Sequence, residues 1–401
     1  MKSPLSNRAV VLGITGSIAS YKAVDLASKL VQAGAQVDVI LSRGASQFVT
    51  ALTFRSFTHR PVVTDLFDPD SELAVEHVAL AQRAEIVVVA PATVHTIAKL
   101  ALGLADDALT TTVLATQAPV LLAPAMDGRM YEHPATRENL HKLEERGVTV
   151  VGPAEGHLAS GLRGWGRMVE PGELLGHIAA VLGHKGDLAG TTVVVTAGGT
   201  QEPLDPVRVL TNRSSGKMGY AVAEAARDRG ARTVLVAAPT ALTDPPAVEV
   251  HHVGTALEMG AAVAKLARGV AVLVMAAAVA DYRPVETAPR KVKRGKQETW
   301  TVELTRTPDI LMGVEGPRVK VGFAAETEDL LSNAREKLRT KGVDLFVAND
   351  VTSPGSGFGS DTNEVIILGR DGVVEKLPLM SKYEVAHRVL DRVAKLLPAR
   401  R

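Results

Sequence analysis

The sequence contains no cysteine among its 401 residues. Disulfide bonds, thiolate metal sites and cysteine nucleophiles are therefore excluded for the whole chain. Any reaction that needs a proton donor or a nucleophile has to take it from another side chain, because no thiol can be recruited from elsewhere in the protein.

The chain also lacks a strong charge of either sign and any long apolar run. Lys and Arg number 45 against 44 Asp and Glu, which gives a net charge of +1 with neutral histidines. This balance gives no support to nucleic acid or an acidic membrane as a general partner. No apolar stretch reaches the roughly 18 to 20 residues that span a bilayer. Residues 1–8 are polar and lead directly into an apolar segment, which favours a cytoplasmic protein.

Two common nucleotide-binding motifs are absent. Residues 214–217 (SSGK) resemble the end of a P-loop, but Thr211 stands where its first glycine is required and Met218 replaces the metal-binding Ser or Thr. Residues 197–200 (AGGT) do not form GxGxxG, which argues against an NAD-dependent oxidoreductase, the general rival for such a fold. No His, Asp or Glu spacing matches a zinc site, which argues against a metal hydrolase.

Alternating apolar and amphipathic segments predict an α/β protein with two doubly wound domains, each built on a mostly parallel sheet. The predicted strands are 8–15, 36–42, 84–90, 118–123, 191–196, 232–237, 270–280, 298–305, 319–323 and 343–348. The predicted helices are 18–31, 93–104, 106–116, 134–146, 171–182, 219–229, 328–341 and 381–397, with a hairpin around 370–372. The glycine-rich joint 183–190 (GHKGDLAG) places the boundary between domains 1–184 and 185–401.

Ligands in doubly wound folds bind outside the carboxyl ends of the strands, and the chain concentrates polar residues there. A phosphate could rest where Gly16 and Ser17 precede a helix. Lys337 and Lys341 are four residues apart on one helical face, and with Lys291 they could surround a triphosphate, because like charges repel unless an anion bridges them. For each residue taken alone, a capping or solvated role is the alternative. The residues concerned are Ser17, Ser42, His77, Thr93, Asp127, Asn212, Asp281, Lys291, Phe323, Lys337, Lys341 and Asn349.

Long motifs in both halves resemble the bacterial bifunctional phosphopantothenoylcysteine decarboxylase and phosphopantothenate–cysteine ligase of coenzyme A biosynthesis. The resemblance runs from about residue 8 to 397 and implies an N-terminal flavodoxin-like flavoprotein domain and a C-terminal Rossmann-like ligase domain. The motifs are GITGSIASYK (13–22), APAT (90–93), PAMDGRMY (124–131), GWGRMVEP (164–171), TAGGTQEPLDPVRVLTNRSSGKMG (196–219), AAAVADYRP (276–284), KVK (291–293), TPDIL (307–311), GFAAET (322–327) and AND (348–350).

For the second half, the resemblance implies joining of 4'-phosphopantothenate to cysteine at the expense of CTP, with Mg²⁺ escorting the nucleotide. An acyl-cytidylate forms with release of pyrophosphate, and the cysteine amine then displaces CMP. Asn212 would hold the acyl-cytidylate with Arg208 nearby, and Lys291 would neutralise developing charge. The positions implied for CTP are Gly198, Ala276, Ala277, Asp281, Lys291, Pro308, Asp309, Ile310, Leu311, Phe323, Lys337 and Lys341.

For the first half, the resemblance implies an FMN-dependent decarboxylase. The flavin oxidises the substrate thiol to a thioaldehyde, carbon dioxide leaves, and the reduced flavin returns a hydride. His77 matches the family's active-site histidine, although its apolar neighbours are also typical of a core histidine. The positions implied for FMN are Gly16, Ser17, Ile18, Ser42, Ala92 and Thr93.

Two departures from the family's pattern affect this chemistry. Asp127 replaces the asparagine that binds the substrate carboxylate, and Ser160 replaces the proton-donating cysteine of a flap. An ionised Asp127 would repel a carboxylate, so either burial protonates Asp127 or an arginine holds that end. A serine hydroxyl is a far weaker acid than a thiol, so water, Asp127 or His77 would have to donate the proton. The arginine candidates are Arg129, Arg163 and Arg167.

Three alternatives remain at this point. The chain is a working bifunctional enzyme, a ligase whose flavin-binding half decarboxylates poorly, or a non-catalytic flavin-binding regulator. The intact ligase motifs favour catalysis. The resemblance also implies a homo-oligomer, with paired ligase domains and trimers of the FMN domain.

Overall fold

The computed structural model describes residues 4–67, 76–293, 299–326, 330–350, 355–357 and 359–398. The chain separates into two compact units, Lys2–Leu182 and Gly183–Arg401. Each unit is an α/β fold around its own sheet. Within the described residues, no helix has both the length and the apolar content needed to cross a membrane.

In its described residues, the first unit contains a six-stranded sheet, a separate hairpin and eight helices, of which several are short. The sheet strands are β1 Ala9–Ile14, β2 Gln36–Leu41, β3 Val62–Val63, β4 Ile86–Ala92, β5 Val120–Pro124 and β6 Thr149–Val150, and the hairpin strands are β7 Ala154–His157 and β8 Arg163–Arg167. The helices are α1 Ser20–Gln32, α2 Ala51–Thr58, α3 Glu76–Arg83, α4 Val94–Leu102, α5 Ala108–Ala115, α6 Gly128–Glu132, α7 Pro134–Glu145 and α8 Pro171–Gly183, and Ala45–Gln47 forms a 3-10 turn.

The first sheet is parallel and has the order β3-β2-β1-β4-β5-β6. If the two-residue edge strand β3 is set aside, the other five strands stand in the order second, first, third, fourth, fifth, which is the predicted flavodoxin-like order. All of β1 and β4 is buried, as a parallel sheet covered on both faces requires. The strand order reverses between β1 and β4, so a crevice opens at their carboxyl ends.

The described part of the second unit contains an eight-stranded sheet, two short ladders and five helices. The sheet strands are β9 Thr192–Ala197, β12 Arg232–Ala237, β13 Glu249–His252, β14 Val272–Met275, β17 Val319–Glu326, β18 Leu345–Asp350, β19 Thr362–Gly369 and β20 Val374–Ser381. The ladders pair β10 Gln201–Pro203 with β11 Val209–Thr211 and β15 Tyr282–Pro284 with β16 Leu304–Arg306. The helices are α9 Lys217–Asp228, α10 Ala256–Leu266, α11 Ile310–Gly313, α12 Leu330–Thr340 and α13 Lys382–Leu396.

The second sheet has the order β13-β12-β9-β14-β17-β18-β19-β20. Its first six strands are parallel and stand in the order third, second, first, fourth, fifth, sixth, which is the predicted Rossmann order. The last two strands are antiparallel and form the hairpin predicted around 370–372. The order reverses between β9 and β14, which defines the crevice of this unit.

Helix α9 follows β9 and lies close to the sheet because its inner face is built from small residues. Ala223, Ala225 and Ala226 are fully buried. A side-chain carbon at Gly219 would lie 2.6 Å from the Thr196 carbonyl oxygen. This approach brings the N-terminus of α9 to the carboxyl end of β9, where the sequence predicted a ligand.

Two predicted strands are shorter in the structure. The strand predicted over 270–280 ends at Met275, because Ala277 N donates to Thr196 Oγ1 at 3.1 Å and Ala278 N donates to Gly198 O at 2.8 Å. These contacts turn residues 276–280 across the end of β9. Of the strand predicted over 298–305, the described residues 304 and 305 belong to β16. Residue 298 lies outside the described residues, as do 328 and 329 of the predicted helix 328–341, which the structure shows as α12.

Candidate functional sites

The loops that follow β1, β2 and β4 interlock at the crevice of the first unit. The Thr15 hydroxyl donates to Pro91 O at 2.7 Å and accepts from Thr93 N at 2.9 Å, which joins the ends of β1 and β4. A side-chain carbon at Gly16 would lie 3.0 Å from the Gly44 backbone, in the loop after β2. The structure therefore brings the predicted FMN positions on these three loops to one edge of the sheet.

A cavity of about 450 Å³, here called the flavin-side cavity, opens beside these loops. Its lining contains two predicted FMN residues, Ser17 and Ile18, together with Asp127 and Ser160. Ile18 and Tyr21 are 59% and 62% exposed, so the cavity offers apolar side chains to a ligand. Its lining is Ser17, Ile18, Ala19, Tyr21, Lys22, Ala125, Met126, Asp127, His157, Leu158, Ala159, Ser160, Gly166, Arg167 and Met168.

The two departures from the family's pattern contact each other. Ser160 Oγ donates to Asp127 Oδ2 at 2.7 Å, and Arg129 N donates to Asp127 Oδ1 at 3.1 Å. The Ser160 hydrogen bond, followed by that of Arg129, holds the pKa of the Asp127 carboxyl below its ordinary value. In this arrangement Asp127 is therefore ionised at neutral pH, which argues against its protonation by burial.

The same contact determines what Ser160 can do. An ionised carboxylate only accepts hydrogen bonds, so the single hydroxyl proton of Ser160 is directed at Asp127. In this arrangement Ser160 offers a ligand only its oxygen lone pairs. The contact also ties the loop between β7 and β8 to the N-terminus of α6, which closes one side of the flavin-side cavity.

Two cations line the flavin-side cavity. Lys22 is 4% exposed and donates to Met168 O at 2.6 Å and Glu170 Oε1 at 3.0 Å. Arg167, which the sequence suggested as a carboxylate-holding residue, donates to the same Glu170 oxygen at 2.6 Å. Sequence reasoning missed Lys22. A lysine in the first turn of a helix opposes the helix dipole, and that position was the available signal.

His77 is half-buried on α3 and, although it is among the described residues, it is not part of the flavin-side cavity lining. Residues 68–75 before it lie outside the described residues. Its predicted catalytic role stays a prediction.

Replacing Ser160 with alanine is expected to raise the pKa of the Asp127 carboxyl toward its ordinary value, because the largest stabilising hydrogen bond to the ionised form is lost. The pKa can be followed by carboxyl ¹³C NMR during an acid titration. Ser46, whose hydroxyl is exposed in another loop, provides the control variant Ser46→Ala. An unchanged Asp127 titration in Ser160→Ala would contradict the contact.

Two adjoining cavities occupy the crevice of the second unit, at the carboxyl ends of β9, β14 and β17. The first, here called the asparagine cavity, has a volume of about 470 Å³. The second, here called the lysine cavity, has a volume of about 730 Å³. Both are lined by the same wall, formed by Ala277, Val279, Asp281, Phe323 and Ala324.

The lysine cavity gathers most of the predicted CTP positions. Lys337 and Lys341 both line it, which agrees with their predicted common face. Lys341 Nζ forms an ion pair with Asp309 Oδ2, while Asp309 Oδ1 accepts from Met312 N at 3.1 Å and caps α11. The cavity thus contains two lysines, of which one is paired with an aspartate. The predicted positions in its lining are Ala277, Asp281, Pro308, Asp309, Ile310, Leu311, Phe323, Lys337 and Lys341.

The asparagine cavity places Asn212 and Ala276 on the other side of the shared wall. Asn212 Nδ2 donates to Val279 O at 3.1 Å, so its amide is held against that wall. Lys382, which sequence reasoning missed, is 6% exposed and donates to Gly357 O and Thr362 O, each at 3.3 Å. Burial, followed by repulsion from Lys217, lowers the pKa of Lys382.

Three predicted ligase positions lie outside the linings of these two cavities, although all three are among the described residues. Gly198 has φ of +84° and supports the turn after β9 through its carbonyl oxygen. Arg208 lies 5.3 Å from the centre of the Trp300 ring. Lys291 is exposed. Within the described part of the chain, no group of three or more His, Asp and Glu side chains could hold a metal ion.

Comparison with known proteins gives a match over each unit. Residues 1–183 match the sequence model of the family described as Flavoprotein. Residues 188–397 match that of the DNA/pantothenate metabolism flavoprotein C-terminal domain.

Full-length relatives are similar over almost the whole chain. The coenzyme A biosynthesis bifunctional protein CoaBC of Bacillus subtilis (strain 168) is 44% identical over 400 residues, which cover 98% of each chain. The protein of the same name from Mycobacterium bovis is 45% identical over 406 residues, which cover 97% of this chain and 96% of that one. A crystal structure of the C-terminal domain of a CoaBC protein is 39% identical, covers 52% of this chain and 97% of that chain, and has a TM-score of 0.45.

Proposed function

This chain belongs to the CoaBC family of coenzyme A biosynthesis bifunctional proteins, and from that membership we infer how its two sites divide two successive reactions. It is a bifunctional enzyme: the second unit is a phosphopantothenate–cysteine ligase and the first is a phosphopantothenoylcysteine decarboxylase of the flavoprotein type.

The observation that carries the ligase proposal is the wall shared by the lysine and asparagine cavities. We place CTP in the lysine cavity, where Lys337 and Lys341 face a cleft that backbone groups and Asp281 also line. We place 4'-phosphopantothenate in the asparagine cavity, beside Asn212. The reacting carboxylate and α-phosphate then meet at the wall between them.

The first ligase step brings two anions together. A carboxylate oxygen of the acid bonds to the α-phosphorus, and pyrophosphate leaves with the electrons of the broken bond. The lysine ammonium groups offset the negative charge that accumulates on the phosphate oxygens. The cysteine amine then bonds to the acyl carbon, and CMP leaves. Asn212, whose amide is fixed by Val279 O, orients the acyl group. Mg²⁺ bound with CTP would offset part of the charge of the nucleotide and would need few protein ligands.

The residues of the flavin-side cavity fit FMN. A turn with backbone N–H groups precedes the 13-residue helix α1. Gly16 lets this turn lie against Gly44 in the loop after β2. The exposed side chains of Ile18 and Tyr21 offer an apolar surface for a ring. We propose that Gly16, Ser17, Ile18, Ser42, Ala92 and Thr93 hold it. Bound FMN supplies the oxidation of the substrate thiol that makes loss of carbon dioxide possible.

The charge of Asp127 opposes binding of the carboxylate of phosphopantothenoylcysteine, the decarboxylase substrate, at this residue. Because Asp127 is ionised, a substrate carboxylate is repelled from it. We propose that Arg167, half-exposed at the cavity and balanced by Glu170, holds this carboxylate. Ser160 holds the β7–β8 loop in place through Asp127, and His77 or water protonates the product.

The alternative of a ligase with a weak decarboxylase half is favoured by one observation: the Ser160 proton is already engaged. A cytoplasmic location, homo-oligomeric assembly and magnesium with CTP stay predictions.

The test incubates FMN-loaded protein with 4'-phosphopantothenate, cysteine and CTP. Pyrophosphate release and an amide product identify the ligase, and a product mass lacking the carboxyl group identifies the decarboxylase. Absence of pyrophosphate would overturn the ligase roles. An amide that keeps its carboxyl group would select the ligase-only alternative.

A further inference from the structure

The turn between β10 and β11 is organised by one buried carboxylate. Asp205 has a fully buried side chain, and its Oδ1 accepts from Val207 N and Arg208 N, each at 2.8 Å. The backbone closes the same turn, because Leu204 N donates to Arg208 O at 2.9 Å. This hairpin leads directly into Asn212, so Asp205 fixes the base of the segment that carries the proposed ligase asparagine.

The second oxygen of Asp205 reaches a different part of the chain. Asp205 Oδ2 accepts from Val292 N at 3.1 Å, and Val292 is the neighbour of Lys291. The segment approaching this point is docked on the same turn, since Thr287 Oγ1 donates to Pro203 O at 3.0 Å and Ala288 N donates to Leu204 O at 3.1 Å.

The chain returns to the same turn after residue 298. The Arg208 guanidinium lies 5.3 Å from the centre of the Trp300 ring, a cation–π contact. Residues 304–306 then pair with 282–284. Residues 285–293 and 299–303, the described parts of the segment between these two strands, therefore both contact the turn that Asp205 organises.

We propose that Asp205 is a positioning residue of the ligase, which holds the backbone of Lys291 and the hairpin of Asn212 in one fixed relation. The proposal rests on the ligase function and on the role that the family resemblance implies for Lys291, which is to neutralise the charge that develops in the first ligase step. Asp205 lies outside the linings of both ligase cavities, although it is a described residue, so it acts through these two segments.

A carboxylate is suited to this task because it offers acceptors on both oxygens. An amide in its place keeps the shape but has only one acceptor oxygen. If that oxygen continues to accept from Val207 and Arg208, the NH₂ group faces Val292 N, donor against donor. Asp205→Asn therefore releases the Lys291 segment or the turn while leaving the packing volume unchanged.

The experiment is a double-mutant cycle on ligase turnover with the variants Asp205→Asn, Lys291→Gln and the combination. Asp205→Asn is expected to lower ligase kcat about tenfold, the loss typical of one hydrogen bond to a charged group, with KM for CTP changed less than kcat. In the double variant the two losses should not multiply, because the released lysine is already absent. The matched control is Asp371→Asn, which changes an aspartate that accepts from Val373 N in the exposed β19–β20 turn.

The outcomes separate this inference from the function it rests on. If Lys291→Gln leaves ligase turnover intact, the proposed role of Lys291 fails. If Lys291→Gln is impaired and the losses multiply in the double variant, only the positioning role of Asp205 fails. An Asp205→Asn protein that matches Asp371→Asn in turnover also overturns it. Flavin absorbance, which reports the other unit, and the melting temperature check that each variant is folded.

Discussion

Replacing Lys341 with glutamine is expected to raise the KM for CTP on the order of 100-fold, which is more than the loss of one charged hydrogen bond alone would cause. The reason is its ion pair with Asp309 in the lysine cavity. Removing the lysine takes away a cation and also leaves Asp309 as an unpaired negative charge facing the site proposed for the triphosphate. The measurement is the dependence of pyrophosphate release on CTP concentration.

Asp309 supplies the control for this prediction. Asp309→Asn keeps the cap of α11, since asparagine also accepts from a helix backbone N–H, and it should change the KM for CTP little. Combining it with Lys341→Gln should recover about tenfold of the loss, the share expected of one unpaired charge. A double variant as impaired as Lys341→Gln alone would show that the unpaired carboxylate has no part in the effect.

Replacing Gly166 with alanine is expected to remove decarboxylase turnover almost completely, while ligase turnover stays within about twofold because the ligase residues belong to the other unit. Gly166 has φ of +140°, and a side-chain carbon there would lie 2.1 Å from Met126 O. Met126 N also donates to Gly166 O at 2.9 Å. Gly166→Ala therefore forces β8 away from the loop that carries Asp127.

The same strand contains the matched control. Gly164 has no neighbour within 4 Å of the position of an added side-chain carbon, so Gly164→Ala should retain decarboxylase turnover. Carbon dioxide release and pyrophosphate release, measured on one preparation, report the two units separately. Equal losses in the two variants would mean that flexibility of the strand, rather than the contact at Met126, governs the reaction.

The buried parallel strands and their alternation with helices followed from the sequence because short-range patterns determine them, whereas the two strand orders were implied by the family resemblance. Apolar runs such as Val193–Val195 and Val87–Val89 are typical of parallel strands buried on both faces. Repeated strand–helix units then leave few topologies open. The grouping of Lys337 with Lys341 likewise depends only on helical spacing.

Contacts between distant residues were not predictable in the same way. Asp127 and Ser160 are 33 positions apart, and their hydrogen bond depends on how the β7–β8 hairpin folds back over α6. The alanine-rich segment after Met275 reads as strand by composition, yet the Thr196 hydroxyl and the Gly198 carbonyl capture its backbone. The sequence places Lys22 and Lys382 at the starts of predicted helices, but only tertiary packing brings them into the linings of the cavities.

The wall between the lysine and asparagine cavities bears on whether the intermediate stays bound between the two half-reactions of the ligase. Both cavities share the residues of this wall. An acyl-cytidylate with its nucleotide end in the lysine cavity and its acyl end in the asparagine cavity therefore need not dissociate between the half-reactions. An activated acid retained in this way is shielded from wasteful hydrolysis. One pyrophosphate should therefore be released for each amide bond made, even when cysteine is scarce.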